Sequence, residues 1–297
     1  MSLLEVKKQI EGVKSTKKIT KAMQLVAASK MRNFQRKALS TRSYVLSLLH
    51  MLEENMQNSA STIFSEIREE GKSVFVLYTS DKGLCGGLNT QLEKALFQSN
   101  KWNELPPEQR ILITIGKKAT EYARSIGVSV QKSFVGLSED LTTLDALGIV
   151  DELLNLWNSE ETKEILFVVP HYHNSFTFYP RLKTFLPFSE EMISSFKKDM
   201  ISKQKPEIIL DRDVLYEPSK ESVLDTLYEQ LIQSAFIQSF FELKASEYSS
   251  RMVAMQSATE AAEKKVGELT LVYNKTRQQA ITQQIAEIVA AGEAIAS

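Results

Sequence analysis

The chain has 297 residues, 43% hydrophobic and 25% charged, with 36 Lys and Arg against 37 Asp and Glu. That composition excludes an intrinsically disordered polymer and leaves enough apolar material for one ordinary core. A single cysteine, Cys85, excludes an internal disulfide and fits a reducing compartment, and the absence of any run of 18 apolar residues excludes a membrane-spanning helix.

Residues 1–58 predict one very long helix. From Leu3 to Asn58 there is no proline and one glycine, Gly12, so nothing stops a helix that at ~1.5 Å per residue would run roughly 80 Å. Ordinary domains use helices of about 11 to 12 residues. A helix this long is expected to wind on another or to thread a partner. Apolar residues step by three and four in short pieces: Val6, Ile10 and Val13, then Ile19, Met23 and Val26, then Ala27, Met31, Phe34 and Ala38. The charged helical pattern begins at once, with no apolar leader, and is read as mature protein. Through Arg42, eleven Lys and Arg stand against Glu5 and Glu11, a balance of +9 that calls for an acidic surface nearby. Nucleic-acid phosphates would be one such surface, but only one aromatic, Phe34, and no binding motif accompany these lysines.

Residues 71–216 have a different pattern. Ser73–Ser80 predicts a buried strand, Asp81–Gly87 a loop and Leu88–Gln98 a helix. Ile111–Ile115 is a second strand before a helix over Lys117–Ile126. After Ser129–Phe134 a helix covers roughly Thr142–Trp157, Ile165–Tyr172 forms another strand, and Phe176–Leu186 pairs nearby. Strands alternating with helices predict a parallel, Rossmann-like α/β domain.

Each catalytic reading of this domain fails on spacing. The glycines of Asp81-Lys82-Gly83-Leu84-Cys85-Gly86-Gly87 stand between strand and helix, the place of a phosphate cradle, yet do not form GxGxxG. Gly116-Lys117 imitates the end of a P-loop, but Ile111 stands where its first glycine belongs and Lys118 where Ser or Thr would ligate magnesium. Cys85 has no base spaced to activate it. His171 and His173 flank Tyr172, in a strand or in a turn after Pro170, with no third metal ligand spaced to join them. No enzyme, cofactor or metal site is predicted.

Residues 219–297 predict a second long helix. No proline occurs there, and the only glycines are Gly267 and Gly292, so the helix would run roughly 110 Å. Ala262, Val266, Leu269 and Tyr273 step by four, three and four, and Ile281, Ile285 and Ile288 resume the stepping after one break. The fold predicted is a long antiparallel coiled coil of the N- and C-terminal helices with the α/β domain inserted between them.

Three blocks now carry a resemblance. They are Lys17-Lys18-Ile19-Thr20-Lys21-Ala22-Met23 continuing to Val26-Ala27-Ala28-Ser29-Lys30-Met31-Arg32; Ser80 to Asn89; and Arg251-Met252-Val253-Ala254-Met255 with Tyr273-Asn274-Lys275-Thr276-Arg277-Gln278-Gln279-Ala280-Ile281-Thr282. In this order they resemble the gamma subunit of F-type ATP synthases, across nearly the whole chain. The resemblance implies a non-catalytic central rotor stalk inside a ring of three alpha and three beta subunits, with its foot on the epsilon subunit and the membrane ring of c subunits. It implies a peripheral place on the cytoplasmic face of a bacterial inner membrane, coupling ion flow to ATP turnover. The partner contacts it implies are Lys17, Lys18, Lys21, Met23, Arg251, Arg277, Gln278 and Thr282, the lysines facing an acidic lever of the beta subunits. Gln284 departs from the Glu that some relatives carry, and the two-cysteine insertion of the chloroplast version is missing. A non-rotary coiled-coil adaptor or a nucleic-acid-binding protein is the alternative, and salt-dependent phosphate binding would distinguish it.

Overall fold

The computed structural model describes residues 2–56, 62–137, 143–159, 161–174, 177–188, 193 and 216–296. The chain divides into two compact units, Met1–Ala28 with Arg251–Ser297, and Ser29–Ser250. Two helices contribute to both: α1, Leu3–Met56, and α6, Lys220–Ala296, of 54 and 77 residues. Neither contains proline, so no backbone donor is missing and no ring blocks the helical ladder.

The first unit is an antiparallel helix pair held by a narrow seam. On α6 the less exposed positions are all of residues 251–255, then Ala258 with Thr259, Ala262, Val266, Leu269, Tyr273, Thr276 and Ala280, stepping by four and three from Met255 onward apart from Ala258. On α1 they are Val6, Ile10, Val13, Lys17, Thr20, Met23 with Gln24, and Ala27. Two contacts mark the direction and register. Lys17 Nζ lies 2.7 Å from Glu263 Oε1, and Thr259 Oγ1 lies 2.8 Å from Thr20 Oγ1.

The seam corrects part of the sequence reading. Ile19 and Val26 are 57% and 55% exposed, because the heptad begun by Val6, Ile10 and Val13 advances to Lys17 and Thr20 and leaves them on the outer face. Ile281, Ile285 and Ile288 are exposed as well. The α6 seam ends at Thr276 and Ala280, and every residue from 281 to 291 is exposed, these isoleucines among them.

The second unit is built on a five-stranded sheet of order β3-β2-β1-β4-β5. The strands are β1 Lys72–Tyr78, β2 Arg110–Ile115, β3 Lys132–Phe134, β4 Thr162–Asn174 and β5 Thr177–Leu186. Central β1 is buried from Ser73 to Tyr78 and pairs in parallel with both neighbours, Phe75 opposite Leu112 on one side and Leu166 on the other. A strand buried on both faces needs a continuous apolar run, which is what made it readable. Only β4 and β5 pair antiparallel. β4 continues through residues 171–174 as strand rather than turn; the side chains of His171 and His173 lie outside the described residues.

Helices α2 (Leu88–Phe97), α4 (Lys117–Ser125) and α5 (Thr143–Asn158) pack on this sheet. A short α3, Asn100–Glu104, was not foreseen, being too brief to show periodicity. The Ser99 hydroxyl accepts from the Trp102 amide at 3.2 Å, and Trp102 then packs edge-on to Phe75 and Phe97. Within this unit α6 is sandwiched. Phe236 meets Tyr78 and Phe167 of the sheet, while Phe241 and Tyr248 meet Phe34 of α1. No residue from 231 to 250 is exposed, the signature of a core helix.

The segment before β1 is pinned to the far side of the domain. Arg68 Nη1 donates to the carbonyls of Trp157 and Thr162 at 2.7 and 2.9 Å, and its guanidinium stacks 4.1 Å over the Trp157 ring. Trp157 Nε1 in turn donates to the Ile63 carbonyl at 2.9 Å.

Candidate functional site

The α/β body presents first the crevice where doubly wound folds bind ligands. The chain leaves β1 for β2 and β3 and returns to β4 on the other side of β1, so the topological switch lies between β1 and β4, beneath the loop after β1. This loop is filled by its own side chains. Asn89 Oδ1 accepts from the Ser80 amide at 3.1 Å, and Asn89 Nδ2 donates to Ser80 Oγ at 2.8 Å and lies 3.4 Å from Cys85 Sγ. Cys85 is buried, and its carbonyl accepts from the Ser250 hydroxyl of α6. The crevice floor is thus tied to the long helix.

The start of α4 offers no anion site either, because its free amides are already taken. Lys117 N donates to Asp81 Oδ1 at 2.9 Å, Lys118 N to the Ser80 carbonyl at 3.2 Å, and Ala119 N to Thr79 Oγ1 at 2.7 Å. Gly136 N also donates to Asp81 Oδ1, at 3.3 Å. The Asp81 carboxylate therefore sits where a phosphate would. Gly116 lies so close to β1 that a Cβ there would be 2.1 Å from the Thr79 carbonyl oxygen, at a φ of +98° that L side chains rarely adopt. Lys118, in the magnesium-ligand position of a P-loop, pairs with Glu121 at 2.6 Å and holds that carboxyl below its usual range. Among the described residues no group of three His, Cys, Asp or Glu can hold a metal.

The chemistry-bearing surfaces are on the helix pair. Lys18 and Lys21 are exposed, with Lys21 Nζ 3.2 Å from Gln24 Oε1, and Met23 is half-buried. Lys17 differs from them. Its bond to Glu263 ties it to the opposite helix and lowers the Glu263 carboxyl below the usual range. Arg251 is buried, only 8% exposed. Arg277, Gln278 and Thr282 are all exposed; Arg277 flanks the seam, and Gln278 and Thr282 lie away from it. Sequence reasoning missed Thr20, Thr259 and Glu263. Holding the heptad of Val6, Ile10 and Val13 through the polar residues would have found the first.

A family profile described as ATP synthase matches residues 2–295. The ATP synthase gamma chain of Methylococcus capsulatus is 34% identical over 294 residues, 98% of either chain, and that of Glaesserella parasuis is 32% identical over 293, again 98% of either. The chain belongs to the ATP synthase gamma chain family. A chain of the Euglena gracilis mitochondrial ATP synthase shares the fold, with a TM-score of 0.66 and 18% identity over 99% of this chain and 94% of that one. In this member of the family the crevice is closed by Asp81, Asn89 and Ser250.

Proposed function

We propose that the chain is the rotating shaft of a bacterial ATP synthase, passing torque between an ion-driven ring of c subunits, the ion a proton, and the catalytic sites of the beta subunits. Residues 1–58 and 219–297 are then the two legs of the shaft, and 71–216 the body it carries. Its partners are three alpha and three beta subunits, the epsilon subunit and the c ring, which hold it peripherally at the cytoplasmic face of the inner membrane. No helix among the described residues is long and apolar enough to cross a membrane.

The observation that carries this reading is the end of α6. The register marked by Lys17–Glu263 and Thr20–Thr259 places Leu3, where α1 begins, beside residue 276. Beyond it roughly twenty residues of α6, about 30 Å, have no opposite helix in their unit. Ile281, Ile285, Ile288 and Val289 are exposed along that end. An apolar helix tip of this length suits a sleeve supplied by other subunits.

The mechanism is differential binding. A shaft that shows different faces to three equivalent sites stabilises a different conformation at each, and turning it exchanges them. Lys18, Lys21 and Met23 meet the acidic lever of each beta subunit in turn, and Arg277, Gln278 and Thr282 catch its loops at the upper shaft. An exposed ion pair contributes little singly, so the lysines act through repetition. Arg277 supplies a forked, charge-assisted donor set and Gln278 both donors and acceptors.

The test is purification through an affinity tag on this chain, followed by ATP-driven rotation of a bead on the immobilised complex. Alpha, beta and epsilon subunits should co-purify and the bead should turn in three dwells per revolution. Recovery of the chain without alpha and beta subunits, or ATP turnover without rotation, would overturn the reading.

A further inference from the structure

The helix pair carries a weakness for which its own packing gives no reason. Gly12 is the only glycine of α1, and Gly267 the only glycine of α6 before Gly292. By the register that Lys17–Glu263 and Thr20–Thr259 mark, residue 12 stands beside residue 267. Neither glycine has a positive φ, and a Cβ added to either would meet nothing within 4 Å. No turn and no close approach asks for glycine here, and alanine would fit both sites. What glycine brings to the middle of a helix is a larger loss of backbone freedom on folding, so each one weakens its helix relative to alanine. A hydroxyl also competes for the ladder in the same turn of each helix. Thr16 Oγ1 donates to the Gly12 carbonyl at 3.1 Å, and Thr270 Oγ1 to the Val266 carbonyl at 2.7 Å. Such bonds draw a carbonyl away from its own amide and bend helices. Thr20 and Thr259 make bonds of similar kind about two turns further along, to the Lys17 and Met255 carbonyls. Val13 and Val266, the seam positions beside the glycines, are only half-buried.

We propose that Gly12 and Gly267 form a paired soft joint, the level at which the two helices open and bend together while the seam on either side stays packed. A single glycine would soften one helix and leave the other as its splint. Two at one level remove the splint, and the valines between them are a small bridge to break. The joint belongs to the helix pair alone. Its use rests on the shaft reading: in a shaft held at Arg277 and Gln278, the joint lets the end of α6 lean towards each of three sites in turn without unseating the seam.

Hydrogen exchange of the full-length chain, followed by mass spectrometry at single-amide resolution, tests the joint. Amides 268–271, whose helical bonds span Gly267, should exchange faster than amides 260–266 on one side and 272–276 on the other, because a joint opens locally whereas fraying only rises towards the free end. Gly267→Ala should slow amides 268–271 about fivefold, and amides 13–16 of the opposite helix by the same factor, since the two helices open in one event. Gly12→Ala should have the same effect on both sets. Amides 231–250 should not change in either variant. Protection that falls evenly from residue 260 to residue 276 overturns the proposal, as does a slowing confined to the substituted helix. Glycines kept only to admit a partner's backbone would leave the parent chain with that even profile, so this alternative falls among the overturning results. No other subunit enters the measurement, so its failure is distinguishable from failure of the shaft reading.

Discussion

One helix contains both extremes of burial in the described structure. Between residues 231 and 250 α6 exposes nothing, although it carries the ion pair Lys244–Glu247 at 3.1 Å. Between 281 and 291 every residue is exposed, although Ile281, Ile285, Ile288 and Val289 are as apolar as anything in the core. Residue type does not separate the two stretches; what stands opposite does. Helix α1 supplies Phe34, and the body Tyr78 and Phe167, against the first stretch. The second has no such wall. The inner stretch is stabilised by its own chain, and the outer one is the surface that the proposed shaft role assigns to other subunits.

The sharpest way to break that contrast is to cut matched side chains. Phe167→Ala removes a ring stacked at 4.1 Å on Phe185 and should destabilise the body by about 4 kcal/mol. Ile288→Ala, at 71% exposure, should change stability by less than about 0.5 kcal/mol. Both tryptophans, Trp102 and Trp157, lie in the body, so urea unfolding followed by fluorescence reads the first effect cleanly. Equal losses from both variants would mean that the tip is packed within its own chain.

Asp81→Ala should cost about 2 kcal/mol, because the Lys117 and Gly136 amides lose their acceptor. Calorimetry with ATP should still show no saturable micromolar binding. Binding that Lys117→Ala then abolishes would reopen the crevice as a nucleotide site.

A smaller gain is expected at Glu93, which is buried on α2. Burial pushes its carboxyl above the ordinary range, with Lys118 pulling the other way. The folded state therefore holds the proton more tightly than the unfolded one, and stability falls as pH rises through the raised value. Glu93→Gln imitates the protonated form and should add about 1 kcal/mol at pH 7. That gain should fade below the unfolded carboxylate range, where both states of the parent are protonated. Chemical denaturation at pH 7 and at low pH measures both values.

Least visible in stability are the surface sets. Lys18→Gln with Lys21→Gln, and separately Arg277→Ala with Gln278→Ala, should leave folding within about 0.5 kcal/mol of the parent. In the assembled complex the first pair should weaken coupling of ATP turnover to ion pumping and the second should slow turnover. Normal coupling and turnover together would remove these residues from the contact surface.

Legibility in the sequence followed how local each cause was. Val74 to Tyr78 form a continuous apolar run, and Leu3–Asn58 is free of proline, so a buried strand and a long helix could be read directly. The seam was harder. Ile19 and Val26 offer an apolar stepping that competes with the true phase, and the true phase passes through Lys17 and Thr20, which look like surface residues until Glu263 and Thr259 stand beside them. Asp81 was out of reach for a similar reason. Its two amide donors are 36 and 55 residues away, and no spacing rule connects them. The proposed contact residues Lys18, Arg277 and Gln278 rest on family resemblance alone, since an exposed polar side chain on a helix has no local signature of its partner.

An uninterrupted helix of 77 residues also constrains how such a chain can change in length. Adding one residue to α6 between Met255 and Ala280 would turn everything beyond it by about 100° and advance it ~1.5 Å. Every seam position beyond the insertion would leave the seam, and Arg277, Gln278 and Thr282 would turn with them. Seven residues nearly restore the phase, and eleven come as close from the other side. Insertions and deletions in this stretch of the gene are therefore permitted in a few discrete sizes, whereas the loops of the α/β body accept almost any.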